Sequence, residues 1–223
     1  IGEKKQEGSP LDKAGLTHGA TYALSIDGFR IEGGTAAIPQ GYVGPFSLVP
    51  TGGTGLNRVE DGAWDTIDAR RFYFATTANF EGNSRLWRLT FHDLANPLAG
   101  GTIEVLVDGL IDGPKMMDNL TVDGAGKVYI QEDVGNQAHL GKIWKYTPAT
   151  DTLQVLAQHD AERFIAGAPA DIDGSGAAQS NEESSGIVEV TELFTGVKGY
   201  NTAANRYFLL TVQAHYTHVN HIP

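Results

Sequence analysis

Ser84-Arg-Leu-Trp-Arg-Leu89 and Gly141-Lys-Ile-Trp-Lys-Tyr146 are two strand-length segments whose tryptophans, Trp87 and Trp144, lie 57 positions apart. Working outward, Phe72-Tyr-Phe-Ala-Thr-Thr77 precedes the first and Val128-Tyr-Ile-Gln-Glu-Asp133 precedes the second. Further upstream stand Asp61-Gly-Ala-Trp-Asp65 and Asp118-Asn-Leu-Thr-Val-Asp123, with Asp61 and Asp118 again 57 apart. Ile103-Glu-Val-Leu-Val107 and Leu153-Gln-Val-Leu-Ala157 close the two units 50 apart, so loops absorb the difference. A third copy opens at Glu183-Ser-Ser-Gly-Ile-Val-Glu-Val190 and continues in Tyr207-Phe-Leu-Leu-Thr-Val-Gln213. Four strands in a unit of about 50 residues are the mark of a β-propeller blade.

The expected fold class is therefore all-β, a β-propeller with units at about 15–59, 60–117, 118–182 and 183–223. A β-sandwich with look-alike hairpins is the competing architecture. Strands are expected at Tyr22–Ile26, Arg71–Ala75, Arg85–Phe91, Ile103–Val107, Lys127–Gln131, Lys142–Tyr146, Leu153–Ala157 and Tyr207–Val212. Helix is confined to a turn or two at Asp160–Phe164, with Asp160 as N-cap, and at Val190–Phe194. About four blades are few for such a ring, and the chain starts at Ile1 rather than Met. The expectation is a C-terminal portion of a longer propeller, or one that a partner chain completes.

Composition narrows the function. Of 223 residues, 41% are hydrophobic and 19% charged, which is apolar enough to bury a core. The 28 glycines punctuate it with turns. No apolar run approaches the roughly 18 residues of a membrane-spanning helix. With 27 acidic against 16 basic residues and a net charge of −11, cations are natural partners and a nucleic-acid backbone is not. The absence of cysteine excludes disulfides, thiolate zinc sites and cysteine nucleophiles.

The motifs of serine hydrolases, phosphate loops, dinucleotide folds and helical zinc proteases are all missing. Gly124-Ala-Gly-Lys127 echoes a phosphate loop but follows Asp123 between two strands and reads as a hairpin turn. What recurs is carboxylate at corresponding places: Glu60 and Asp61, Asp118, Glu132 and Asp133, Glu182 and Glu183. Equivalent positions in a propeller converge on the channel, and clustered carboxylates stay ionised when a cation neutralises them. All-oxygen ligands point to calcium, with iron or manganese behind it; solvated acidic loops are the plain alternative. A second signal is Asp171-Ile-Asp173-Gly-Ser175-Gly176 followed by Glu182, which has the oxygen and glycine spacing of a calcium loop without its flanking helices. An ordinary Asp/Gly-rich connection between strands is the plainer reading. In His215-Tyr-Thr-His218-Val-Asn-His221, strand geometry turns His215 and His218 to opposite sides, leaving His215 alone to reach a channel mouth.

Asn57-Arg-Val-Glu-Asp-Gly-Ala-Trp64, Met117-Asp-Asn-Leu-Thr-Val-Asp123, Gln131-Glu-Asp-Val-Gly-Asn136, Glu182-Glu-Ser-Ser-Gly186 and Val212-Gln-Ala-His215 together resemble the C-terminal half of the PhoX-type alkaline phosphatase family. The resemblance runs from about Gly15 to His215. It implies a β-propeller, export to the periplasm or beyond the cell, and a calcium and iron cluster that binds phosphate monoesters. It makes Glu60 and Glu183 metal ligands, with Glu132 and Asp118 as further channel ligands and His215 near the substrate. Where the family has a phosphate-binding Arg, this chain has Asn181, and the family's iron-binding Cys has no counterpart. Two functions follow: a calcium-dependent phosphoesterase acting on a small phosphoester, or a catalytically silent exported propeller whose calcium is structural and whose surface serves binding or assembly.

Overall fold

The computed structural model describes residues 1–33, 37–135, 137, 139–164 and 183–213. Apolar and β-branched runs between Gly- and Asp-rich turns form the strands. In chain order these are β1 (Ala23–Ile26), β2 (Val43–Val49), β3 (Val59–Trp64), β4 (Arg71–Thr76), β5 (Arg85–Phe91), β6 (Gly101–Asp108), β7 (Met117–Val122), β8 (Val128–Glu132), β9 (Lys142–Thr147), β10 (Thr152–Gln158), β11 (Glu183–Glu189) and β12 (Phe208–Gln213). Among the described residues helix is limited to α1 (Pro10–Ala14), α2 (Gly109–Asp112), α3 (Ala161–Phe164) and two 3₁₀ turns. With 42% strand against 10% helix, the protein is all-β. No helix among the described residues is long and apolar enough to cross a membrane.

The strands form three antiparallel sheets, ordered β1-β2-β6-β5-β4-β3, β10-β9-β8-β7 and β11-β12. The first contains a four-stranded meander, β3 to β6, and the second is another. The residues expected to open a unit of their own at 15–59 make no separate sheet. Instead β2 pairs with β6 through Val43–Phe46 and with β1 through Phe46–Val49, extending the first meander at its outer edge.

The extended sheet is curled into a half-barrel. Side chains alternate across a strand, so the two faces of β4 part company. Phe74 joins Ile26, Ile38, Phe46, Trp87, Leu89, Phe91, Ile103 and Val105 inside the curl. Tyr73 and Ala75 face the other way and pack with Leu86 and Val107 against Met117, Leu120, Val122, Val128, Ile130, Trp144 and Tyr146 of the second sheet. The second core is thus the interface between the two meanders.

The two meanders repeat one register. Phe74 pairs with Trp87 and Ile130 with Trp144. Asp65 and Asp123 end the inner strands, and each accepts a phenol proton from the following strand: Tyr73 to Asp65 at 2.8 Å, Tyr129 to Asp123 at 3.0 Å. Their other oxygens cap the turn amides, Asp65 from Ile67 at 2.7 Å and Asp123 from Ala125 and Lys127 at 2.9 Å. The inner strands β3, β7 and β11 pack side by side.

Burial, reinforced by the neighbouring aspartate, pushes Tyr73 up to about 12 and Tyr129 higher still. The folded state holds these protons after the unfolded chain begins to release them near pH 10, so their stabilisation is intact below about pH 10 and is lost as pH rises beyond it. The slope is about 1.4 kcal/mol per pH unit for each phenol. Urea unfolding of Tyr73→Phe with Tyr129→Phe should show a protein weaker than the parent near neutrality but with a flatter alkaline limb. An unchanged limb would mean these phenols do not govern alkaline unfolding.

Candidate functional site at the inner-strand bulges

Each inner strand carries the same β-bulge. Val59 pairs with Thr76 and the next pair is Gly62 with Phe74; Met117 pairs with Glu132, then Leu120 with Ile130; Ser184 pairs with Val212, then Ile187 with Leu210. One extra residue enters the inner strand each time, the device that re-aims side chains at sheet edges and beside sites. The bulges hold Glu60 and Asp61 on β3, Asp118 and Asn119 on β7, and Ser185 and Gly186 on β11. The sequence repeat had set Asp61 against Asp118; the register corrects this by one residue, setting Glu60 against Asp118 and Asp61 against Asn119.

The two acids on β3 are turned to different work. Asp61 takes its own turn, Gly62 N to Oδ1 at 2.8 Å, and accepts Leu120 N across the unit boundary at 3.1 Å. It knits β3 to β7. Glu60 is partly exposed, 3.6 Å from the Arg58 guanidinium. It stands at the rim of an apolar cleft of about 280 Å³ lined by Leu24, Leu56, Phe72, Phe74 and Leu89.

Just ahead of the bulges, Arg58 (φ 58°) and Met116 (φ 45°) adopt the left-handed conformation, which is strained for a side-chain-bearing residue. Their carbonyls accept Thr77 N and Asp133 N, both at 2.9 Å. A buried carboxylate fixes each turn from the preceding amide. Glu32 accepts Asn57 N at 2.7 Å and the Thr76 hydroxyl at 2.9 Å. Glu132 accepts Lys115 N at 2.7 Å, Trp144 Nε1 at 2.9 Å and Lys142 N at 2.9 Å, and His139 Nε2 lies 2.9 Å from its second oxygen. In the first unit the indole is reached indirectly, Trp87 Nε1 donating to Thr76 Oγ1 at 3.0 Å.

Glu32 is held above the usual carboxylate range by burial. Charge balance in its pocket comes from Arg85, 3.8 Å from Glu32 and 3.1 Å from Asp108. Glu132, fully buried, has its roughly four lone-pair directions spoken for by these neighbours. It acts as an internal clamp rather than as an open ligand.

Glu183 lies in β11, its backbone paired with Gln213. Asp171, Asp173, Ser175, Asn181, Glu182 and His215 lie outside the described residues. Among the described residues no group of three or more His, Asp or Glu is arranged to hold a metal ion. Sequence reasoning missed Glu32, Asp65 and Asp123 as organising acids. The recurring Asp at the end of the inner strand, followed by Tyr in the next, was a usable signal for the last two; Glu32, alone in a Gly-rich stretch, offered none.

Glu132→Gln replaces an acceptor facing N–H donors with an amide that satisfies fewer of them, at a cost of about 2–3 kcal/mol. Chemical denaturation in the presence of chelator should show this loss; a variant as stable as the parent there would return Glu132 to the ligand role. Comparison of the chain with protein-family models, with curated proteins and with solved structures gave no match.

Proposed function

We propose that the chain is the C-terminal portion of a PhoX-like β-propeller that binds calcium at its inner-strand bulges and hydrolyses phosphate monoesters. The observation that carries this reading is the bulge shared by three adjacent inner strands, with an acid, Glu60 or Asp118, at the same register position in the first two. Both are hard oxygen donors suited to calcium. Glu183, one residue ahead of the paired Ser184, would add a third from the next unit. Iron as a companion metal would have to be held by hard ligands and histidine, since the chain has no cysteine. Glu132 does not fit the ligand set, because its oxygens are engaged within the protein.

A bound cation would neutralise phosphate charge and activate an oxygen nucleophile. The chain's own part is to aim the donors: the clamped left-handed turns at Arg58 and Met116 fix where each bulge begins, and Asp61 ties the first bulge strand to the second. Arg58 now pairs with Glu60 and would have to release it to the metal, becoming available to a phosphate oxygen. Asn181, standing where the family has its phosphate-binding Arg, leaves that task to another cation.

The second reading is an exported propeller that binds calcium structurally and works as a binding or assembly module. The engagement of Glu132 as a clamp favours it. Calcium titration by calorimetry, run beside phosphate release from p-nitrophenyl phosphate, separates the two. A phosphatase should lose release in chelator, and Glu60→Gln or Asp118→Asn should lower it by about a hundredfold or more. Calcium binding without release would select the module, and no calcium binding would sink both.

A further inference from the structure

Gln131 of β8 is fully buried, and among the described residues its amide nitrogen has no acceptor within hydrogen-bond reach. Its orientation is fixed: Gly186 N donates to Oε1 at 3.1 Å, and only the oxygen of a carboxamide can accept that bond. Two N–H protons are left at the other atom. A buried donor without an acceptor is costly, and in native structures such a group is accounted for by a bound water, an ion or a part in the chemistry. Neighbouring acceptors are engaged. Glu132 takes Lys115 N, Trp144 Nε1 and Lys142 N, and Ser184 Oγ stands 3.1 Å from His159 Nε2.

This nitrogen belongs to the row of bulges. Met117 pairs with Glu132 and Leu120 with Ile130, so Gln131 is the single residue set opposite Asp118 and Asn119. Its carboxamide crosses from there to the third bulge, where Gly186 is only partly buried and has no side chain to screen an approach. In the first unit the same position is Ala75, closed into the core between the sheets. There the tie between units comes from Asp61, which accepts Leu120 N. Tying β8 to β11 needs one oxygen and no N–H, so the glutamine carries more than the fold uses.

We propose that Gln131 Nε2 is the binding donor for an oxyanion, an oxygen of phosphate, seated between the β7 and β11 bulges. The identity of the anion rests on the phosphoester reading. A neutral donor suits the place. The protein carries −11 overall and Asp118 lies across the ladder, so charge comes from the cation that Asp118 would hold, and the amide supplies a fixed direction. Held by burial and by Gly186, the amide needs little reorganisation when the anion arrives. A water molecule in the same place is the competing outcome.

The probe is inorganic phosphate, titrated into the full chain with and without saturating calcium. Calorimetry gives the affinity, and the side-chain amide signal of Gln131 in a proton–nitrogen correlation spectrum, assigned by its loss in Gln131→Glu, gives the contact. That signal should shift and saturate with the calorimetric Kd. Gln131→Glu keeps an oxygen for Gly186 N and removes the donor. It should weaken phosphate about a hundredfold while calcium binds as tightly as before or more so. Gln131→Met, which adds no charge, should weaken phosphate about tenfold. If the glutamate variant misfolds, the methionine variant and the parent's signal still decide. The proposal is overturned by a parent that binds no phosphate up to about 10 mM, by a Gln131 signal that ignores bound phosphate, by a methionine variant that binds phosphate as the parent does, or by a long-lived water at the amide that phosphate does not displace. Phosphate that moves the signal where calcium does not bind upholds the donor and removes the calcium site; calcium binding with an indifferent signal does the reverse.

Discussion

Each inner strand of the two complete units is launched from a left-handed residue that a buried carboxylate locks in place. Left alone, the turns at Arg58 and Met116 would cost of order 1–3 kcal/mol each and relax. The amides of Asn57 and Lys115, donated into Glu32 and Glu132, hold them. The same carboxylates reach the tryptophan of the third strand, through Thr76 in one case and directly in the other. One group therefore joins turn, second strand and third strand, and the bulge starts at a fixed residue as a result. The two units solve the problem with acids from different places. Glu32 comes from the segment ahead of the unit, and Glu132 is built into β8.

That difference explains why much of the site was illegible in the sequence. Alternation and turn residues located most strands well: Arg85–Phe91 was found to the residue, and β9 and β10 to within one at each end. Asp160 caps its short helix, its Oδ1 accepting from Glu162 N, as its position suggested. β2 was missed; it carries Pro45, which has no N–H to give to a ladder and sits next to Phe46, where β2 passes from β6 to β1. α1 was missed although Ser9 and Asp12 form a reciprocal cap around Pro10. A bulge leaves no trace in hydrophobic periodicity, so the acids of successive inner strands were aligned one residue out of step. Tryptophans 57 apart and inner strands 58 apart cannot both be matched without a gap.

Acid recurrence alone also did not sort the carboxylates by role. Glu132 and Glu60 look alike in the repeat, but one is enclosed among N–H donors and the other sits at a surface rim. Asp61, next in sequence to Glu60, became a bridge between units. Burial and hydrogen-bond supply decide which acids are free to meet a cation, and those are properties of the third dimension.

The arm formed by β1 and β2 decides what becomes of one face of the first meander. With the connection between its strands it covers that face with Ile26, Ile38 and Phe46, which pack on Phe74, Trp87, Leu89, Phe91, Ile103 and Val105. The other face of the same meander is covered by the second sheet. A sheet buried on both faces has no solvent side to its strands, so the arm serves the first unit as a capping element serves the terminal unit of a repeat array: it turns an apolar face that would otherwise invite association into core.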